Sequence, residues 1–266
     1  MHSTTYHRAG SVAEAAKLAK ANPDGKYLSG GHTLIPAMKT RLAAPDHLID
    51  VSRIADMNGV KVSGKTVTIG AATTHADVAG NDKLKAVCPS ICHLAAHIGD
   101  PHVRNRGTIG GSIANNDPAA DYPAAMLALD AVIVTNKREI PAAKYFKGLF
   151  ETALKDGELV TAVRFTAPAK AGYSKFPNPA SRYAMTGVFV ALQKDGPRVA
   201  VTGAGDEGVF RSKEMEAGLG KKLDIAGLHG MAVPSKNLMS DIHASADYRA
   251  NLIRVMTKRA AEAANA

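Results

Sequence analysis

A chain of 266 residues, 45% hydrophobic and 21% charged, has an ordinary globular composition and is long enough for two domains or one large α/β unit. No apolar run approaches the roughly 20 residues that cross a bilayer, and the N-terminal "MHSTTYHRAGSVAEAAKLAK" lacks the apolar stretch of an export signal, so a cytoplasmic location is expected. The net charge of +9 invites a nucleic-acid reading, but the basic residues are scattered singly, aromatic residues make up 5% and Trp is absent, so neither a basic arm nor a stacking platform is in place.

In chain order, Ser11 with Glu14 three residues on forms a capping box for a first helix whose apolar stripe is Val12, Ala15, Ala16 and Leu18. A strand is expected at Lys26 to Ser29, then Gly30 and Gly31, a helical turn at Thr33 to Thr40, and a strand at His47 to Val51. "VKVSGKTVTIG" alternates around Ser63 and Gly64 as a hairpin does, and helices follow at about His75 to Ala79 and Ser90 to Ile98. "PAADYPAAMLALDA" predicts a helix beginning at Pro118 with Asp117 as its N-cap. "AVIVTN" and Leu159 to Phe165 read as strands, and "TAPAKAG" reads as a domain boundary. Beyond it "GYSKF", "AMTGVFVALQK" and "RVAVTGAG" form an antiparallel meander, and "SADYRANLIRVMTKRAAEAA" an amphipathic helix.

Two glycine runs, "YLSGGHTLIPAM" and "RNRGTIGGSIANNDPAAD", call for an explanation together. Paired glycines allow positive φ and remove Cβ, so backbone N–H groups can converge on an anion, and each run is followed by a helix start that favours negative charge. Tight turns of a β-rich domain would explain either run alone. The accompanying hydroxyls and small residues, Ser29, Thr33, Thr73, Thr74, Thr108 and Ser112 with Asn115 and Asp121 nearby, favour a pyrophosphate cradle. Neither run is G-x-G-x-x-G, and no phosphate-loop lysine is present, which removes the main support for a dinucleotide-binding doubly wound domain or a nucleoside triphosphatase.

"YLSGGHTLIPAMKTRLAAPDHLIDV" together with "IGDPHVRNRGTIGGSIANNDPAADYPAAMLALDA" resembles the FAD-binding medium subunit of the molybdenum hydroxylases, the xanthine dehydrogenase and aerobic carbon monoxide dehydrogenase relatives. "GAATTHADV", "ELVTAVRF" and the terminal helix follow the same order, so the resemblance covers nearly the whole chain. It implies an α+β chain. A two-lobed FAD-binding domain of the vanillyl-alcohol-oxidase type would occupy residues 1–168, with lobes at about 1–58 and 59–168, and a smaller domain of antiparallel sheet and helices residues 172–266. It also implies FAD on this chain, with Ser29, Gly30, Gly31, His32 and Thr33 as the first phosphate loop and Thr108, Ile109, Gly110, Gly111 and Ser112 as the second. Thr73 would lie between them, Asp121 would bind the flavin nucleotide, and Leu159 and Val160 would approach the isoalloxazine. In "KFPNPASRYAMTGV", where the family brings a residue against the flavin ring, Tyr183 is the candidate, and Asn178 stands near the place of a lysine found in one branch.

The resemblance further implies an electron-transfer subunit that passes electrons from iron–sulfur clusters through FAD to an external acceptor. The clusters would sit on a small partner subunit and molybdopterin on a large one, since two cysteines are too few for clusters here. A hetero-oligomer is expected, a dimer of heterotrimers being one arrangement, with no nucleic acid. A stand-alone flavin oxidoreductase of the same fold and a flavin-free scaffold subunit are the rivals. No general acid, base or nucleophile is called for, so no catalytic residue is assigned. His32 is expected to contribute backbone contacts without a covalent flavin bond. Cys88, Cys92, His93, His97 and His102 are read as buried structural thiols beside partly exposed imidazoles, with no metal, and Arg104 and Arg106 as flanking charges without assigned FAD contact.

Overall fold

The computed structural model describes residues 2–266. It opens with strand β1 (Thr5–Arg8), helix α1 (Val12–Ala21), β2 (Lys26–Leu28), α2 (Leu34–Lys39) and β3 (His47–Asp50), the strands forming a parallel sheet of order β1-β3-β2. Ser11 Oγ accepts from Glu14 N at 3.1 Å, while the Glu14 carboxylate reaches one residue further back than in the standard box, to Gly10 N at 2.7 Å.

The second lobe begins with β4 (Val60–Ser63) and β5 (Thr66–Gly70), a hairpin whose turn uses Gly64 at φ +56°. A run of short helices follows: α3 (His75–Ala79), α4 (Asp82–Val87), α5 (Pro89–Ala96), α6 (Pro101–Arg104), α7 (Ile109–Asn115) and α8 (Tyr122–Ala128). Strands β6 (Val132–Thr135) and β7 (Glu139–Pro141), helix α9 (Ala142–Tyr145), the small hairpin β8 (Phe146–Gly148) and β9 (Glu151–Thr152), and β10 (Val160–Thr166) complete the lobe. Its antiparallel sheet has the order β4-β5-β10-β6-β7.

The C-terminal part is the meander β11 (Lys170–Pro177), β12 (Ala184–Gln193), β13 (Gly196–Thr202) and β14 (Phe210–Arg211), with α10 (Lys213–Leu219) and the long α11 (Ala246–Asn265). Strand β12 is covered on both faces, and the two-residue period sorts its side chains accordingly. Phe189 and Ala191 join the core shared with the second lobe, whereas Val188 and Val190 pack with Ile253, Met256 and Ala260 of α11. Helix α8, buried along its whole length, lies on the far side of this sheet from α11. The chain is thus α+β, and no helix among the described residues is long and apolar enough to cross a membrane.

One sequence expectation fails here for a physical reason. The helix predicted from Pro118 starts instead at Tyr122, and Asp117 caps only a turn, accepting from Ala119 N at 2.9 Å and Ala120 N at 3.0 Å. The carbonyls that would have begun the helix are taken by the C-terminal sheet: Pro118 O accepts from Gly203 N, Ala119 O from Ala184 N, and Ala120 O from Thr202 Oγ1. Helices α4, α6, α7, α9 and α10 were not expected from the sequence, and α7 contains the second glycine pair within its first turn.

Gly172 on β11 lets α11 come close: a Cβ there would lie 2.0 Å from Ala260 O. Gly172→Ala is therefore expected to destabilise the chain by about 1–3 kcal/mol through overpacking, read as a lowered urea midpoint with unchanged slope. An unchanged midpoint would show that the contact is not tight.

Candidate functional site

The first glycine run leaves the sheet at β2 and turns into α2. Gly31 takes φ +75°, which a side chain would resist, and Gly30 lies against the second run so closely that a Cβ would stand 2.2 Å from Arg106 O. Ser29 Oγ and Thr108 Oγ1 meet at 3.0 Å across the same junction. Among the described residues, the backbone N–H groups of Gly30, Gly31, His32, Thr33 and Leu34 donate to no protein acceptor. Five successive unspent donors around a left-handed glycine form a concave array suited to an anion.

The second run behaves differently. Thr108 is the N-cap of α7, its Oγ1 accepting from Gly111 N at 3.1 Å, while Ile109 N donates to Thr73 O at 3.1 Å and Gly110 N to Ala71 O at 2.8 Å. Ile109 is wholly buried, and a Cβ on Gly110 would sit 2.6 Å from Ala71 O, so Gly110 is required by packing against β5's exit. Gly111, by contrast, is exposed on the cleft, and a Cβ would meet only Thr108 Oγ1 at 3.0 Å. The amides of Ile109 and Gly110 are thus spent within the protein, and the free donors come from the first run.

The two runs open onto a cleft of about 1120 Å³ that is bounded by both lobes and by the C-terminal part. Its lining includes Ser29, Gly30, Gly31, His32, Thr33, Thr108, Gly110, Gly111, Ser112, Asp121, Leu159, Val160 and Tyr183. Thr73 and Ile109 stand behind the wall: Thr73 Oγ1 accepts from Gly59 N at 2.8 Å and donates to Gly59 O at 3.1 Å, a structural tie. Apolar walls come from Leu28, Val51, Met57, Ile98 and Val103, and the exposed ring of Tyr183 stands on the C-terminal side.

Two further residues that did not stand out in the sequence, Glu158 and His75, line the cleft, and a third, Lys175, holds the lining residue Asp121. Glu158, just before Leu159 and Val160, is gripped by Arg138 through Nε at 2.9 Å and Nη2 at 3.0 Å, by Thr135 Oγ1 at 2.7 Å and by Lys155 N at 2.9 Å. The hydrogen bonds from Arg138 outweigh burial and hold its carboxyl down to about 2. His75, in "TTH" at the start of α3, lines the cleft with its ring 5.4 Å from that of Tyr122, and neither its Nδ1 nor the Tyr122 hydroxyl has a protein partner. Lys175 of β11 pairs at 2.9 Å with Asp121, whose carboxylate also accepts from the Tyr173 hydroxyl. Burial raises the Asp121 carboxyl, and Lys175 and Tyr173 oppose that rise.

Cys88 and Cys92 are free and buried, and burial pushes both thiols up, Cys92 to about 11, as expected of structural cysteines rather than ligands. Cys88 sits at the junction of α4 and α5, outside the helix that holds Cys92, and His93, His97 and His102 are exposed.

Burial, helped by the neighbouring His32 and Arg104, lowers the His75 imidazole from 6.5 to about 4, so the folded state keeps it neutral while the unfolded chain protonates it first. The stability this represents is complete above the unfolded value of 6.5 and is lost as pH falls to about 4, by up to about 3 kcal/mol. Urea midpoints of the wild type should drop between about pH 7 and about pH 5, and His75→Leu should remove much of that slope; an identical pH dependence in the variant would place the effect elsewhere.

Comparison with known proteins shows the family of the chain. Residues 2–168 match the family described as the FAD binding domain in molybdopterin dehydrogenase. The chain is 36% identical to the glyceraldehyde dehydrogenase medium chain of Sulfolobus acidocaldarius over 96% of each, and 35% identical to the carbon monoxide dehydrogenase medium chain of Hydrogenophaga pseudoflava over 97% of this chain and 96% of that one. It also superposes on a chain of the solved carbon monoxide dehydrogenase of Hydrogenophaga pseudoflava with a TM-score of 0.87 at 34% identity, covering 99% of this chain and 97% of that one. A chain of quinoline 2-oxidoreductase from Pseudomonas putida matches with a TM-score of 0.87 at 25% identity, covering 99% and 98%. On sequence, fold and the site's architecture, the chain belongs to the family of FAD-binding medium subunits of the molybdenum-dependent dehydrogenases.

Proposed function

We propose that this chain holds FAD in the cleft and serves as the electron-transfer subunit of a molybdenum hydroxylase. The observation that carries the reading is the array of unspent amides from Gly30 to Leu34 at the meeting of the two glycine runs. The residues present fit the cofactor: the amides suit a pyrophosphate, small residues leave room for it, and a cleft of about 1120 Å³ with apolar walls has space for a dinucleotide and its ring. Ser29, Thr33, Thr108 and Ser112 supply hydroxyls beside the amides, and the His32 contribution is through its backbone N–H.

The chemistry that FAD supplies when bound is reversible electron uptake, here from iron–sulfur clusters on a small partner subunit and onward to an external acceptor. The protein's part is to bind, orient and shield. Glu158, locked by Arg138 and Thr135, fixes the backbone at Leu159 and Val160 on the cleft wall, where they would meet the ring, and Tyr183 would cover it by stacking. A large molybdopterin-binding subunit completes the assembly in this reading, in a cytoplasmic hetero-oligomer. The names of the similar proteins, medium chains of dehydrogenases, support a subunit over a stand-alone flavin oxidoreductase.

Purification at native abundance tests the reading. A yellow preparation with flavin absorbance, accompanied by a molybdenum-containing large chain and an iron–sulfur small chain, is expected; flavin without partners would favour the stand-alone enzyme, and a colourless protein that FAD cannot reconstitute would sink both. Gly111→Val is expected to lower FAD occupancy without unfolding the chain, because its Cβ faces the cleft, whereas Gly110→Val should disturb the fold itself through its clash with Ala71. Full flavin occupancy in a folded Gly111→Val chain would contradict the assignment of that surface.

A further inference from the structure

The buried ammonium of Lys175 spends all of its donors on three separate parts of the molecule. Its side chain is 5% exposed, and Nζ lies 2.9 Å from Asp121 Oδ1, 2.7 Å from His97 O and 3.0 Å from Arg182 O. These partners belong to the start of α8, the end of α5 and the loop of residues 178–183, and together they use the three N–H groups an ammonium offers. Asp121 is in turn held by the Tyr173 hydroxyl, two residues before Lys175 on β11.

The loop that Lys175 reaches carries Tyr183. It is closed by Arg182 N donating to Asn178 O at 2.8 Å, Asn178 N donating to Tyr183 O at 2.8 Å, and Ala180 N donating to Asn178 Oδ1 at 2.9 Å. Arg182 sits at φ +61°, a conformation that non-glycine residues rarely adopt without being held there. The carbonyl that Lys175 grips is that of Arg182, the peptide joining it directly to Tyr183. A buried ion pair contributes little net stability beyond an apolar pair of the same size, but its directional bonds specify one geometry. Asn178 adds to the loop's closure and not to the cleft: its side-chain oxygen accepts from Ala180 and Ser181.

We propose that Lys175, braced by Asp121, is a positioning residue that fixes the Tyr183 ring over the flavin by pinning the Arg182 carbonyl to the second lobe. This rests on the FAD reading above. It gives Asp121 a task besides facing the cofactor, namely to hold the ammonium that spans the two parts of the chain.

The test uses the purified full chain with Lys175→Met and, because methionine leaves the Asp121 charge buried without its partner, the charge-neutral Asp121→Asn/Lys175→Met beside it. Amide hydrogen exchange without FAD is the first readout: residues 180–183 are expected to exchange about tenfold faster in whichever variant folds, with α11 unchanged. Unaltered exchange in the loop would overturn the pin. Flavin fluorescence of the FAD-loaded proteins is the second, since a stacked phenol quenches the ring. Tyr183→Leu should brighten the flavin, Lys175→Met should brighten it too, and Tyr183→Leu/Lys175→Met should be no brighter than Tyr183→Leu alone. Full quenching in Lys175→Met beside a bright Tyr183→Leu overturns the positioning role while leaving the FAD reading intact. A chain that takes up no FAD, recognised by the missing absorbance, overturns the FAD reading and this role with it.

Discussion

The close approach of Gly30 to the Arg106 carbonyl is the contact on which the rest of the site depends. With no room for a Cβ between them, the first glycine run is pressed onto the second, and Ser29 and Thr108 join across the seam. This forces the chain to turn at Gly31 with positive φ before α2 can begin, and the turn leaves the amides of residues 30–34 facing open space. Amides at a helix start are left to water or to a ligand, and a row of them lining a cleft is suited to an anionic ligand that completes their pairing.

The two runs look alike in the sequence and do different work in the structure. The first supplies donors. The second, with Ile109 and Gly110 bonded to Thr73 and Ala71, supplies a rigid, side-chain-free surface that positions the first and leaves Gly111 open to the cleft. Sequence pattern carries the presence of glycine but not the destination of its N–H, because that depends on which carbonyl the fold brings near. For the same reason the helix expected at Pro118 begins at Tyr122: the competing hydrogen bonds come from Thr202 and Gly203, more than 80 residues away, and no local propensity encodes them.

Local signals were legible where the physics is local. Ser11 and Glu14, the hairpin at Gly64, the apolar strand β12 of the meander and the amphipathic α11 are all set by neighbours in sequence, and the structure has them where the pattern puts them. The residues lining the cleft emerged mainly through family resemblance. Glu158, His75 and Lys175 did not stand out, since a charged residue before or within a strand, or a histidine beside threonines, has no distinctive pattern until tertiary structure buries it. Their burial is informative because each would be costly without a reason: Glu158 and Lys175 have complete sets of partners, whereas His75 keeps an unpaired Nδ1 at the edge of the cleft.

In the proposed function the first glycine run donates its amides to the pyrophosphate of FAD. Residue-resolved amide exchange with and without FAD measures this directly. Strong protection of Gly30, Gly31, His32, Thr33 and Leu34 is expected on binding, with little change at Gly110, whose amide is already bonded to Ala71. FAD binding that leaves residues 30–34 exchanging as before would contradict it.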